Sequence, residues 1–166
     1  MGEHPLSKEV YDRLISNATH SECLIRRYSS AIVKDDCIIG IGYSVMPHCG
    51  SCTQSGVCGR QVLQSKFGFD LEFFESCPII HAEMAAILSC DRIRDCEGAT
   101  LYLLGINRVD GSTHKDAFPC TLCLRHILHV GIRTVCIVQD KNACLKFDLR
   151  EGGLNDHSES RYRKAH

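Results

Sequence analysis

No apolar run in these 166 residues reaches the roughly twenty needed for a helix to cross a bilayer, which argues against a helical membrane span. A cleavable leader is not expected either. The opening stretch "MGEHPLSKEV" is too polar for a signal peptide, so a cytoplasmic setting is expected. Nor is there an excess of charge of one sign. Nineteen Lys and Arg stand against 20 Asp and Glu, a formal net charge of −1, which gives no broad electrostatic reason to bind nucleic acid or an anionic membrane. Internal repeats and interdomain linkers are absent as well. A single domain over residues 1–166 is expected, with a polar tail over 154–166, "LNDHSESRYRKAH", left mobile or used in assembly.

What the chain has in quantity is cysteine, 12 of them. Without an export signal, a disulfide framework explains them less well than metal ligands or buried thiols. Cys37, Cys136 and Cys144 lie singly in or beside apolar segments and read as core filler. Cys49, Cys52 and Cys58 crowd one glycine-rich loop, and Cys120 and Cys123 form a CxxC.

Apolar spacing predicts a first helix from about Ser7 to Ser16. "SSAIVKDDCIIGIGYS" reads as two strands around an Asp35-Asp36 turn. Met46 to Gly59 has no periodicity and is expected to be a functional loop. A second helix is expected from His81 to Cys90, with Ala82, Ala85 and Ala86 small enough for close packing. A buried strand, "ATLYLLGI", and a polar stretch from Asn107 to Phe118 follow. A third helix should open with Pro119 at its first position and end near Gly131, before the buried strand "IRTVCIV". Strands alternating with helices indicate an α/β layered domain.

Two motifs carry the chemistry. In "CPIIHAEMAAILSC", His81 and Glu83 flank one alanine at the head of an otherwise apolar helix. In "PCTLC", Cys120 and Cys123 face the same way at the start of another, where the helix dipole favours thiolates. His81, Cys120 and Cys123 make three ligands for Zn²⁺ and leave a fourth position open, the pattern of a catalytic rather than a structural site. Glu83 stands close enough to move protons without binding the metal. A structural zinc would need a fourth ligand and would give Glu83 no task, and a redox CxxC would leave His81 and Glu83 unexplained.

H-x-E followed by P-C-x-x-C is the signature of the zinc nucleobase deaminases. Over roughly Arg26 to Val138 the chain resembles the cytidine/deoxycytidylate deaminase superfamily, most of all its deoxycytidylate branch. The resemblance implies an α/β/α three-layer fold with a mixed five-stranded sheet, one catalytic zinc, Glu83 as general acid and base, and hydrolytic release of ammonia from a cytosine nucleotide or nucleoside. It also implies a homo-oligomer. A basic residue, Arg26 or Arg27, stands where that branch has cations that would meet a phosphate. Some members carry a second, structural metal, for which Cys49, Cys52, Cys58 and Cys77 are the candidates here, with His48 an alternative to Cys77 as fourth ligand.

Three departures blur the substrate. Ser44 and Ala85 stand where the branch commonly has asparagine, the first of which helps hold the nucleotide, and Asn107 to Phe118 intervene before the PCxxC as a lid, specificity loop or surface insertion. Guanine, a pterin-like ring or a base in RNA or DNA are therefore alternative substrates, and a zinc-stabilised binding protein without catalysis is the alternative of another class.

Overall fold

Asp35 and Asp36 both take positive φ, 49° and 61°. That is the conformation of a two-residue hairpin turn that matches strand twist. Across it, β2 (Arg26–Lys34) pairs antiparallel with β3 (Cys37–Tyr43). The computed structural model describes residues 3–47, 52–67 and 77–150. His48, Cys49 and the tail from residue 154 lie outside the described residues.

Among the described residues the sheet has six strands, with β1 (Glu3–Pro5), β4 (Thr100–Asn107), β5 (Thr134–Val138) and β6 (Ala143–Asp148) completing the order β1-β6-β5-β4-β2-β3. The sheet is mixed, as expected, but has one strand more than the expected five. β4 and β5 are parallel, and β2 is antiparallel to both β3 and β4. β3, β4 and β5 therefore run the same way, and their carboxyl ends share one edge.

Alternation along the strands sorts side chains onto two faces. One face meets α1 (Lys8–Ala18), whose Val10 and Leu14 pack with Ala31, Leu104 and Val138. The other meets α4 (Ala82–Leu88), with Ile32, Leu101 and Leu103 against Ala86 and Ile87. Helix α5 (Thr121–His129) lies on that second side, and its Ile127 joins the same cluster. Close approach of α4 depends on what β3 lacks. A Cβ on Gly40 would come 2.6 Å from the Ala86 carbonyl oxygen, and one on Gly42 would come 2.3 Å from the Ala86 nitrogen.

Four details differ from expectation. Cys37 is exposed, because it opens β3 directly after the hairpin turn at the sheet's end, whereas Cys136 and Cys144 are buried as core thiols. Helix α5 begins two residues after Pro119. Cys120 keeps extended backbone, ψ 165°, and its sulfur takes the capping role by accepting the Cys123 N–H at 3.5 Å. In the expected loop from Met46 to Gly59, the described part folds one helical turn, α2 (Cys52–Ser55), closed by the Ser55 hydroxyl donating to the Cys52 carbonyl at 3.1 Å. Helix α3 (Gly59–Phe67) begins where that loop was expected to end. No helix among the described residues is long and apolar enough to cross a membrane.

Candidate functional site

The shared carboxyl edge of β3, β4 and β5 is where α/β sheets place their sites. The chain leaves β3 and makes a two-way backbone bridge, Val45 N–H to Ile80 O at 3.1 Å and Ile80 N–H to Val45 O at 2.9 Å. Ile80 is thereby fixed, and with it His81, the extended N-cap residue of α4. On the other side, the chain leaves β4 and returns through residues 107–118 to Cys120 at the head of α5.

The two helix starts bring their ligands together. His81 Nδ1 lies 3.4 Å from the sulfurs of both Cys120 and Cys123. All three ligand atoms fall within 4.8 Å of one another, and among the described residues this is the metal-ligating group that does so. Tetrahedral zinc with Zn–S near 2.3 Å and Zn–N near 2.0 Å would set sulfur and nitrogen roughly 3.5 Å apart, so the donor set fits the ion. His81 is exposed while Cys123 is buried, so the set is open on one side.

Glu83 lies in the first turn of α4, 5% exposed. Burial raises its carboxyl above the usual range, against the lowering effects of a backbone hydrogen bond, the His81 charge and the Cys123 thiol. Cys120 is held down to about 3, chiefly by the hydrogen bond from Cys123, with His81 and the Cys123 N–H adding to it. Cys123 is pushed up by the adjacent Cys120 sulfur, burial and Glu83. His81 is raised, first by its hydrogen bond with Cys120, while Arg60 of α3 acts against its protonation. The helix start, expected to help both thiols ionise, thus holds a split pair, with Cys120 lowered and Cys123 raised. Cys123 needs a cation to give up its proton.

The remaining expected residues are scattered around this edge. Ser44 is buried, 3% exposed, and its N–H donates to the Tyr28 carbonyl at 3.1 Å. Arg26 is exposed at the edge of β2, on the face that meets α4. Arg27 points to the α1 face, as Ser29 does through its bond with Asn17, and the Arg27 Nε is buried without a partner. Cys52 is pushed up by burial first, then by neighbouring Cys58, Cys77, Cys23 and Glu22. Each acts on Cys52 through space, but among the described residues no three of these thiols come within 4.8 Å of one another as the His81, Cys120 and Cys123 atoms do, and Cys49 lies outside the described residues.

Segment 107–118 is tied down. Asn107 N–H donates to Ser112 O, His114 N–H donates to Gly105 O at 2.7 Å, Thr113 bridges Ile106, and the Gln139 amide donates to the Lys115 carbonyl at 3.0 Å. Such anchoring suits a fixed wall better than a swinging lid. Sequence reasoning missed Cys23. For Cys23 the signal was one more thiol ahead of the hairpin. That hairpin returns the chain so that Glu22 N–H meets Ser44 O and Met46 N–H meets the Glu22 carboxylate.

The family model for the cytidine and deoxycytidylate deaminase zinc-binding region matches residues 6–139. Deoxycytidylate deaminase of Schizosaccharomyces pombe is 30% identical over 118 residues, 71% of this chain and 32% of the relative. The Saccharomyces cerevisiae deoxycytidylate deaminase is 32% identical over 123 residues, 74% of this chain and 34% of the relative. This chain spans about one third of the length of these two relatives. Among solved structures, Acinetobacter baumannii RibD aligns with a TM-score of 0.43 and 17% identity, over 80% of this chain and 27% of that one. With its three ligands assembled and Glu83 buried beside them, the chain belongs to the cytidine and deoxycytidylate deaminase zinc-binding family.

Proposed function

We propose that this protein is a zinc-dependent hydrolytic deaminase of a cytosine nucleotide, deoxycytidylate or a close relative. One observation carries the reading: an open His81–Cys120–Cys123 triangle with a buried carboxylate in the same turn of helix. When bound there, zinc supplies a Lewis acid that makes water nucleophilic near neutral pH. Glu83 would take the water's first proton and place it on the ring nitrogen, then take the second from the hydroxyl now on the ring carbon and deliver it to the amine as the C–N bond breaks. The bridge from Val45 to Ile80 and the glycines under α4 hold that carboxylate in register with His81.

The choice of a nucleotide rests on the relatives, which are deoxycytidylate deaminases, and on cations at the site's edge. Arg26 is better placed than Arg27 to receive a phosphate, and Arg60 is a further candidate. Turnover of deoxycytidylate, deoxycytidine, cytosine and guanine on one preparation tests the reading. Deoxycytidylate should be preferred, and Arg26→Ala should raise its KM about tenfold or more while leaving deoxycytidine nearly unchanged. Equal turnover of unphosphorylated compounds, or reaction of guanine alone, would end the nucleotide assignment and leave the zinc chemistry standing.

A second, structural metal held by Cys52, Cys58 and Cys77, with Cys49 or Cys23 completing the set, belongs to the same proposal. Its support is the crowding of these cysteines in the sequence and their electrostatic reach to Cys52. Elemental analysis should find two zinc equivalents per chain, one lost on Cys120→Ala or His81→Ala and the other on Cys52→Ser. A wild-type value of one would remove the second site. A cytoplasmic, homo-oligomeric protein completes the proposal. Leu88 and Leu122, 62% and 63% exposed on α4 and α5, offer apolar surface for a second copy, and light scattering on that preparation would reveal a monomer if the assembly is wrong.

A further inference from the structure

On the zinc side of the sheet, at the edge where His81 and Cys120 meet, one strand position is bare. Gly105 of β4 stands opposite Tyr28 of β2. A Cβ on Gly105 would come 2.8 Å from the Tyr28 ring and 3.1 Å from the Cβ atoms of both His114 and Ala117. The glycine therefore leaves room for the Tyr28 ring and for the His114 side chain where it leaves the backbone. The two rings meet edge to face, with centroids 6.3 Å apart and planes at 69°. Both residues are half-buried, so each keeps part of its surface accessible to solvent.

The backbone ties each ring to one half of the metal-ligand set. The Tyr28 carbonyl accepts the Ser44 N–H, and the next residue, Val45, is bridged to Ile80 beside His81. The His114 N–H is fixed on Gly105, and its carbonyl accepts the Ala117 N–H three residues before Cys120. A part-exposed aromatic corner, tied by backbone to both ligand-bearing helix starts, suits a flat, π-faced ligand. Arg26, two residues before Tyr28 on the same face, sets a cation at its outer end.

We infer that Tyr28 and His114 form the wall against which the substrate's base stacks, and that this pair determines which ring is accepted. The inference rests on the deaminase reading above and deepens it, assigning the role to a segment, 107–118, whose purpose the sequence leaves open. Ser44 and Ala85 stand where amide side chains would be expected, so recognition by the face of the ring takes over part of what edge contacts would supply.

Calorimetry on zinc-loaded Glu83→Gln protein, which holds substrate without consuming it, tests the wall with deoxycytidylate and deoxycytidine as probes. Tyr28→Ala and His114→Ala, each added to that background, should weaken both probes by the same factor, about tenfold, because stacking does not depend on the phosphate. Tyr28→Phe should bind within about twofold of the parent, since it keeps the ring face. His114→Ala serves as the readout if Tyr28→Ala does not fold. Unchanged affinity in a folded alanine variant overturns the wall, and so does a loss confined to deoxycytidylate. If the wild type releases no ammonia yet both probes bind and lose affinity together, the wall stands and the deaminase reading falls. If neither probe binds the parent, both fall.

Discussion

Glu83→Gln should lose turnover by roughly 10²- to 10⁴-fold while keeping its metal and its fold, the range associated with one positioned general acid–base group. Glutamine matches glutamate in volume, so the buried pocket in which Glu83 is 5% exposed stays filled. It can still hydrogen-bond, but it cannot take a proton from water and pass it to the ring or the leaving amine. The loss should appear in kcat rather than KM, because the carboxylate acts on charge that develops only as bonds change. A thousandfold loss corresponds to about 4 kcal/mol of barrier. The measurement is single-preparation kinetics paired with zinc content and thermal unfolding. Retention of more than about a tenth of the wild-type rate would place the acid–base group elsewhere, against the expected scale for such a group. His114 and Asp116 would then be the residues to replace.

The second large effect is structural. Gly42→Val should destabilise the protein by about 3 kcal/mol or more, the upper range for overfilling a packed interior. The added Cβ would meet the backbone of α4 at 2.3 Å from the Ala86 nitrogen and 2.5 Å from the Ala85 carbonyl carbon. Backbone cannot rotate away as a side-chain tip can, so the helix must lift from β3. Glu83 lies two residues before Ala85 on that helix, and His81 caps it. Metal affinity and turnover should fall together with stability, and the melting temperature should drop on the order of 10 °C. Gly59→Ala is the control, since nothing lies within 4 Å of its added carbon and its φ is not positive. A Gly42→Val protein that melts and binds zinc like the parent would show that α4 has slack the geometry does not reveal.

The ligand set was legible in the sequence because each half is local. His81 and Glu83 are one residue apart, Cys120 and Cys123 three, and both pairs open an amphipathic helix. The hairpin was equally plain, with Asp35 and Asp36 between two β-rich runs. What the sequence hid depends on pairing between distant segments. Strand β1 is three residues long and exists through its partner β6, whose exposed Lys146 and half-buried neighbours lack a strong apolar signal. The capping role of Cys120 needed the sulfur's direction, which no pattern supplies. Tyr28 and His114 meet through the register that sets Tyr28 opposite Gly105, and one strand slip would send that ring to the α1 face.

The parallel run of β3, β4 and β5 has a consequence for how the chain comes to its finished state. His81 is separated from Cys120 by 39 positions and from Cys123 by 42, and β4 must dock on β2 before the two helix starts can face each other. A nascent chain can zip its hairpin early, since those contacts are local, while the ligand triangle waits for the longer crossover. A metal ion captured there closes a circuit that chain synthesis leaves open. Its grip acts on contacts made late, so it guards mainly against opening: the ion slows the way out of the native state more than it hastens the way in.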